Sequence, residues 1–331
     1  MTLSLRLPSG TPIETFRQAA ILAERVGFDQ IWTGNDLFKP SGLVPVTVAL
    51  DSTSRIRVGS SVLNPVSLSV AEIASFASQL QELSHGRYLL GLGAGSDVYL
   101  GWAGMAADKP APRTARAVQE LRALLDGRSP AEDGHAGWAT TARLQRPTPY
   151  RTPIYVGGMG PHMLRAAGRY ADGAIALALP PERIGWVRDQ VSRGQAARTE
   201  PGPFDLACAL WVSIDEDAAG ARAMLADRIA QYCGSLSREA LAQAGYDVDR
   251  LSEIQRLSDS GRHDEAVRLV DDALLRLGVA GNAHDVTDQC LALADDGVRH
   301  LSFGHPLGRD PMEAIRVLGE HVIPAVEKEY A

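Results

Sequence analysis

Ile154-Tyr155-Val156-Gly157-Gly158-Met159-Gly160-Pro161-His162-Met163-Leu164-Arg165-Ala166-Ala167-Gly168-Arg169-Tyr170 is the stretch that decides the fold. A short apolar, β-branched and aromatic run ends in glycine, and a helix opens at Pro161, where a missing N–H costs nothing. Ala174-Ile175-Ala176-Leu177 follows at once as another strand. Two strands separated by a helix of this length cannot close as a hairpin. The crossover pairs them in parallel and lays the helix on the sheet face.

The same unit repeats in both directions. Upstream, Leu3, Leu5 and Leu7 alternate with polar residues as a strand, and a helix from Ile13 to Val26 stops at Gly27. Gln30 to Thr33 is a strand, Pro45 to Asp51 a helix, Ile56 to Val62 a strand, and Ser69 to Leu83 a helix. Arg87 to Gly93 is a strand, followed by a helix from Arg113 to Leu125. A polar, Gly- and Pro-rich stretch from Ser129 to Thr152 interrupts the alternation. Downstream come a helix near Pro181 to Ala197, a strand from Leu206 to Val212 and a helix from Glu216 to Tyr232. Between Gly234 and Gly278 the chain is helical and charged, which predicts an insertion outside the main sheet. Val279 is expected to open a loop, Asn282 to cap a helix, His300 to Gly304 to form the last strand, and Pro311 to Val322 the last helix. Eight strands, each followed by a helix, predict an α/β fold: a (β/α)8 TIM barrel spanning residues 1–331 as one domain, with a helical insertion at about 234–278. A doubly wound sheet is disfavoured, because no dinucleotide fingerprint follows the first strand.

Composition narrows the function. Hydrophobic residues at 45% and charged residues at 22% suit a soluble globular chain and exclude disorder as the main state. The net charge of −7, with no basic cluster, excludes a nucleic-acid surface. No stretch approaches the roughly 18 apolar residues of a membrane span, and the N-terminus does not read as a signal peptide. Cys208, Cys233 and Cys290 are scattered, so no disulfide framework is expected, and the chain reads as cytoplasmic. Neither a CxxC nor an HExxH motif occurs, so no metal site is expected.

In a barrel of this kind the chemistry lies at the C-terminal ends of the strands. Those ends are Leu7-Pro8-Ser9, Thr33-Gly34-Asn35-Asp36, Ser61-Val62-Leu63, Gly93-Ala94-Gly95-Ser96-Asp97, Gly157-Gly158-Met159-Gly160, Leu177-Ala178-Leu179, Trp211-Val212-Ser213 and Gly304-His305-Pro306. Glycine lets a backbone approach a flat ring or a phosphate closely. Gly157 to Gly160, ahead of a helix N-terminus, is either an anion site or a plain βα turn. Asp36 is an acid/base group or an N-cap, and His305 a site residue or a loop histidine. Arg6 and Trp32 lie within the first two strands. An inward Arg6 needs an anion, whereas an outward one needs only water.

Taken together, Gly91-Leu92-Gly93-Ala94-Gly95, the Gly157 to Gly168 segment, Ala171-Asp172-Gly173-Ala174, Val212 to Ala218 and Ser302-Phe303-Gly304-His305-Pro306-Leu307-Gly308 resemble the bacterial luciferase-like superfamily. Within it the likeness is to the methylene-tetrahydromethanopterin reductase branch, which uses the deazaflavin coenzyme F420. The resemblance covers nearly the whole chain. It implies a homodimer, a flavin-like ring in the barrel mouth, and a non-proline cis peptide at Ser61-Val62 that backs the ring. It further implies that Asn35, Asp36, Gly93, Ala94, Gly95 and Ser96 line the ring or substrate side, with Gly157, Gly158, Met159 and Gly160 near the phosphate-bearing tail.

Departures accompany the likeness. Arg6 stands where the reductase has a carboxylate, Asn35-Asp36 replaces an Asp-His pair, and Ser96, with Asp97 beside it, replaces an acidic residue. The expected activity is therefore hydride transfer between coenzyme F420 and a small C=C, C=N or C=O substrate other than that pterin. Arg6 and Trp32 would face the substrate. Asp36 is the first candidate for proton transfer, with Asp97 and His305 behind it. An FMN-dependent monooxygenase is the alternative, disfavoured because the Gly157–Gly160 turn lacks a hydroxyl donor. A catalytically idle ligand-binding barrel is the third reading.

Overall fold

The computed structural model describes residues 1–106, 108–177, 180–199 and 202–330. Ala178 and Leu179, read above as part of a strand end, lie outside those residues. Nine strands form one parallel sheet: β1 (Thr2–Leu7), β2 (Gln30–Thr33), β3 (Arg57–Leu63), β4 (Tyr88–Leu92), β5 (Ile154–Gly157), β6 (Gly173–Leu177), β7 (Asp205–Ile214), β8 (Gly278–Gly281) and β9 (His300–Leu307). Each of β1 to β6 pairs with the next, β6 pairs with β7, β7 with β9, and β9 with β1. The ring is closed and has eight members, the eight strands read from the sequence.

The ninth strand corrects the expectation of a loop at Val279. Residues Gly278–Gly281 pair with Trp211–Ile214 of β7. Strand β7 is ten residues long; its first half is bonded to β6, and β8 takes the same edge above it. The physical reason is an edge that needs a partner: a strand outrunning its neighbour leaves N–H and C=O groups unpaired.

Alternation along β1 sets which side chains face where. Leu3, Leu5 and Leu7 belong to the large cluster that includes Phe16, Ala19, Ala20 and Ala23 of the following helix. Ser4 and Arg6 therefore face the barrel interior, since successive residues alternate sides. The interior cluster is small: Trp32, Leu89, Tyr155, Ile175, Ala207 and Ala209. The Trp32 and Tyr155 rings meet edge to face at 5.1 Å. At the N-terminal end, His300 is bonded through Nδ1 to Asp205 Oδ2 and through Nε2 to Ser4 Oγ, each at 2.8 Å. Tyr155 donates to the same Asp205 oxygen at 2.8 Å.

The helices follow the expected order with shifted ends. Asn282 caps Ala283–Asp295 in a reciprocal box with Asp285, satisfying two otherwise unpaired donors. A short helix, Asp97–Trp102, stands between the fourth strand and the next helix, where no element was read from the sequence, and the C-terminal helical run reaches Tyr330 rather than Val322. The insertion holds four helices between Arg238 and Leu275. It has its own apolar cluster, built on Trp211, Leu225 and Ile229 of the barrel. The 129–152 stretch packs on outer helices: Ser78 accepts from the Thr148 N–H at 3.2 Å, and Trp138 donates to Glu120 at 2.9 Å.

Candidate active site

A cavity of about 1500 Å³ opens at the C-terminal ends of the strands. Its wall on the β3–β5 side is built around one unusual peptide. Ser61-Val62 is cis, where the resemblance placed such a bond, and the β3–β4 register shifts between Ser60 and Leu63. Val62 is turned toward β4 and β5. A Cβ on Gly93 would lie 2.6 Å from Val62 Cγ2, and one on Gly157 would lie 2.9 Å from Val62 Cγ1. These glycines therefore make room for Val62, which then presents a small apolar surface to the cavity. Gly160 begins the Pro161–Tyr170 helix with no side chain capping it.

The opposite wall is cationic. Strand β9 lies four places from β4 around the ring of eight, directly across the mouth. Arg6 projects inward from β1, donating from Nη2 to the Leu210 carbonyl at 2.8 Å. Arg228, from the Ala218–Tyr232 helix, donates to His305 Nε2 and lies with its guanidinium carbon 3.3 Å from the Tyr232 ring centre. Burial, followed by the charges of Arg228, Arg6 and Lys39, lowers His305 to about 3. His305 is then neutral at physiological pH, with Nε2 as acceptor and its proton on Nδ1. The lining carries four cationic side chains (Arg6, Lys39, Lys109, Arg228) against two carboxylates, Asp36 and Asp97. In a chain with net charge −7 this is a local reversal of sign, and it favours anionic ligands.

The structure gathers most residues singled out above. Arg6, Trp32, Asp36, Ser61, Val62, Gly93 to Asp97, Gly157 to Gly160 and His305 all line this cavity. Asp36 and Asp97 are exposed at its rim. Trp32, only 1% exposed, forms floor rather than wall, with its indole N–H held by Gln30 Oε1 at 2.9 Å. Asn35 does not line the cavity. Its side-chain oxygen accepts the Gly42 N–H at 2.9 Å and the Ser41 hydroxyl at 3.3 Å, tying down the loop after β2.

Residues 2–300 match the family described as luciferase-like monooxygenase. The chain belongs to that family. This luciferase-like chain is 28% identical, over 92% of its length, to a 5,10-methylenetetrahydromethanopterin reductase of Archaeoglobus fulgidus, of which it covers 94%. It is 27% identical to an F420-dependent glucose-6-phosphate dehydrogenase of Nakamurella multipartita, covering 92% of this chain and 90% of that one. Its fold matches the coenzyme F420-dependent tetrahydromethanopterin reductase of Methanopyrus kandleri with a TM-score of 0.90 at 24% identity, covering 98% of each chain.

Several lining residues of this luciferase-like barrel were not singled out from sequence: Lys39, Tyr99, Arg228 and Tyr232. Arg228 had a readable signal. It lies on a helix whose buried face holds Ala221, Leu225 and Ile229, and a charge at an apolar-face position asks for a ligand or a partner.

Proposed function

We propose that this chain is a coenzyme F420-dependent oxidoreductase moving a hydride between the deazaflavin and a small organic substrate with a C=C, C=N or C=O bond. The observation that carries this reading is the paired wall: a glycine-flanked apolar bulge at Val62 on one side and a cationic face across from it. Relatives named for F420 chemistry over nearly the full length support it. The residues fit such a group. The cavity, about 1500 Å³, exceeds the roughly 300–1,000 Å³ of a drug-sized site, leaving space for a tricyclic ring and a second molecule. When bound, a deazaflavin supplies a ring carbon that gives or receives hydride.

The chain's own residues divide the remaining work. Val62 and the backbone from Gly93 to Ser96 would hold the ring, and Gly157 to Gly160, at an uncapped helix N-terminus, its phosphate-bearing tail. Asp36 is the proposed proton-transfer group, since its exposure lets it exchange with solvent. Asp97 stands in the same rim. His305, neutral and engaged with Arg228, orients that guanidinium. Titrating the purified protein separately with coenzyme F420 and with FMN, followed by fluorescence and absorbance, tests the reading. Saturable F420 binding without FMN binding supports it. Tight FMN binding with oxygen consumption replaces it with a monooxygenase, and binding of neither leaves an idle barrel. Asp36→Asn, with cofactor binding intact, is expected to slow turnover about 100-fold or more; unchanged turnover removes Asp36 from proton transfer.

A further inference from the structure

The hydride-transfer reading uses the cationic wall as a whole and assigns no ligand group to its two arginines, Arg6 and Arg228. Arg6 and Arg228 reach the same corner of the cavity from different elements, and each keeps a buried Nε with no hydrogen-bond partner. Arg228 is only 9% exposed. Among the described residues neither guanidinium lies in an ion pair, although Arg17, Arg122, Arg128, Arg256 and Arg316 all do. Burial, reinforced by Arg228 and opposed by Cys208, pulls Arg6 down to about 10. The backbone is shaped for this arrangement. A Cβ on Gly304 would lie 2.4 Å from Arg6 Nη2 and 2.9 Å from its Cζ, so the guanidinium occupies space that only a glycine leaves open. Two guanidiniums, Arg6 half-buried and Arg228 buried, with no carboxylate partner carry a penalty that a bound anion relieves. His305, which holds Arg228 through Nε2, lines the same cavity.

We infer that Arg6 and Arg228 form a seat for a carboxylate carried by the substrate. The protein acts on small organic acids, bound with the carboxylate on the β1–β9–β7 wall and the rest of the molecule directed at the Val62 wall across the mouth. A carboxylate is the favoured oxyanion because its planar oxygens match guanidinium N–H pairs. This inference rests on the proposed function for its chemistry, but the seat itself is testable without cofactor.

The test is a set of melting curves and calorimetric titrations at constant ionic strength with sodium acetate, pyruvate and crotonate, and with acetone as the neutral control. Inorganic phosphate forms a separate arm. At least one carboxylate is expected to raise the melting temperature and bind saturably, with acetone and chloride inert. Arg6→Met and Arg228→Met should each weaken that binding tenfold or more. Gly304→Ala, which keeps both arginines but drives a methyl group into the Arg6 seat, should weaken it as well, and circular dichroism confirms that each variant is folded. Arg228→Lys should recover part of the affinity. No stabilisation by any carboxylate, stabilisation that survives in the double Arg6→Met/Arg228→Met variant, or tighter binding of phosphate than of every carboxylate overturns the seat. Titrating the same variants with coenzyme F420 separates the two ideas. Intact F420 binding without a carboxylate effect removes the seat alone, and carboxylate binding without F420 binding removes the cofactor reading alone.

Discussion

The two ends of this barrel treat buried polar groups in opposite ways. At the N-terminal end, Ser4, His300, Asp205 and Tyr155 are joined in an unbroken line by three hydrogen bonds, each 2.8 Å long. At the C-terminal end, Arg6 Nε, Thr33 Oγ1 and Arg228 Nε are buried with nothing to bond. The residue types mislead if read without position. Ser4, His300 and Asp205 are the trio of a nucleophilic hydrolase, yet Ser4 and His300 are both 0% exposed and no substrate reaches them. A satisfied network holds the fold together. An unsatisfied one marks where a ligand completes it.

Cutting the lower network is the most damaging way to probe this contrast. Asp205→Ala strands the Tyr155 hydroxyl and the His300 ring N–H in the interior, and is expected to cost about 3–5 kcal/mol in urea unfolding. Burial raises the Asp205 carboxyl, but His300 and Tyr155 outweigh it, so the net value falls below the usual carboxylate range. The unfolded state then binds more protons than the folded one in acid. The contribution of Asp205 is therefore complete above its unfolded value, near pH 4, and disappears as pH falls through the depressed folded value. Asp205→Asn should flatten that acid limb of the stability curve. A loss below about 1 kcal/mol for Asp205→Ala would mean the lower end is not the anchor its bonding suggests.

A second break lies within the upper end, between glycines that make room and glycines that do not. Gly93→Ala places a methyl group 2.6 Å from Val62 Cγ2, and overpacking of that kind costs about 1–3 kcal/mol. Gly160→Ala meets nothing within 4 Å and should stay within about 0.5 kcal/mol in thermal unfolding. If the two substitutions behave alike, Val62 is not held between β4 and β5 as described.

How far this was legible in the sequence follows from the same physics. All eight strands of the closed ring could be read, because parallel strands bounded by glycine and separated by helices carry a strong local signal. Strand β8 could not. Gly278-Val279-Ala280-Gly281 has only two side chains beyond glycine and becomes a strand through its pairing with the overhang of β7, which is a tertiary effect. The orientation of Arg6 was latent in the Leu3, Leu5, Leu7 alternation, but became decisive only once those leucines were seen packed on the helices. Arg228 lies more than two hundred residues from Arg6, and nothing local joins them. Asn35 was placed in the site by likeness, whereas its role in holding Gly42 depends on a loop conformation that a motif does not encode.

The smallest effect is the sharpest probe of the upper end. Arg228→Met removes a buried charge that has no carboxylate partner, so global stability should hold or rise by about 1 kcal/mol, opposite in sign to Asp205→Ala. The same substitution should release His305. Burial is the first cause of its low value, about 3, and Arg228 the next, so the imidazole should titrate higher in the variant without regaining the ordinary value near 6.5. Because the folded value lies below the unfolded one, the wild type loses stability as pH falls from about 6.5 toward 3, and the variant should lose less. Histidine NMR across that range measures both. An unmoved His305 resonance would show that burial alone holds it neutral, and that the guanidinium contributes contact but little field.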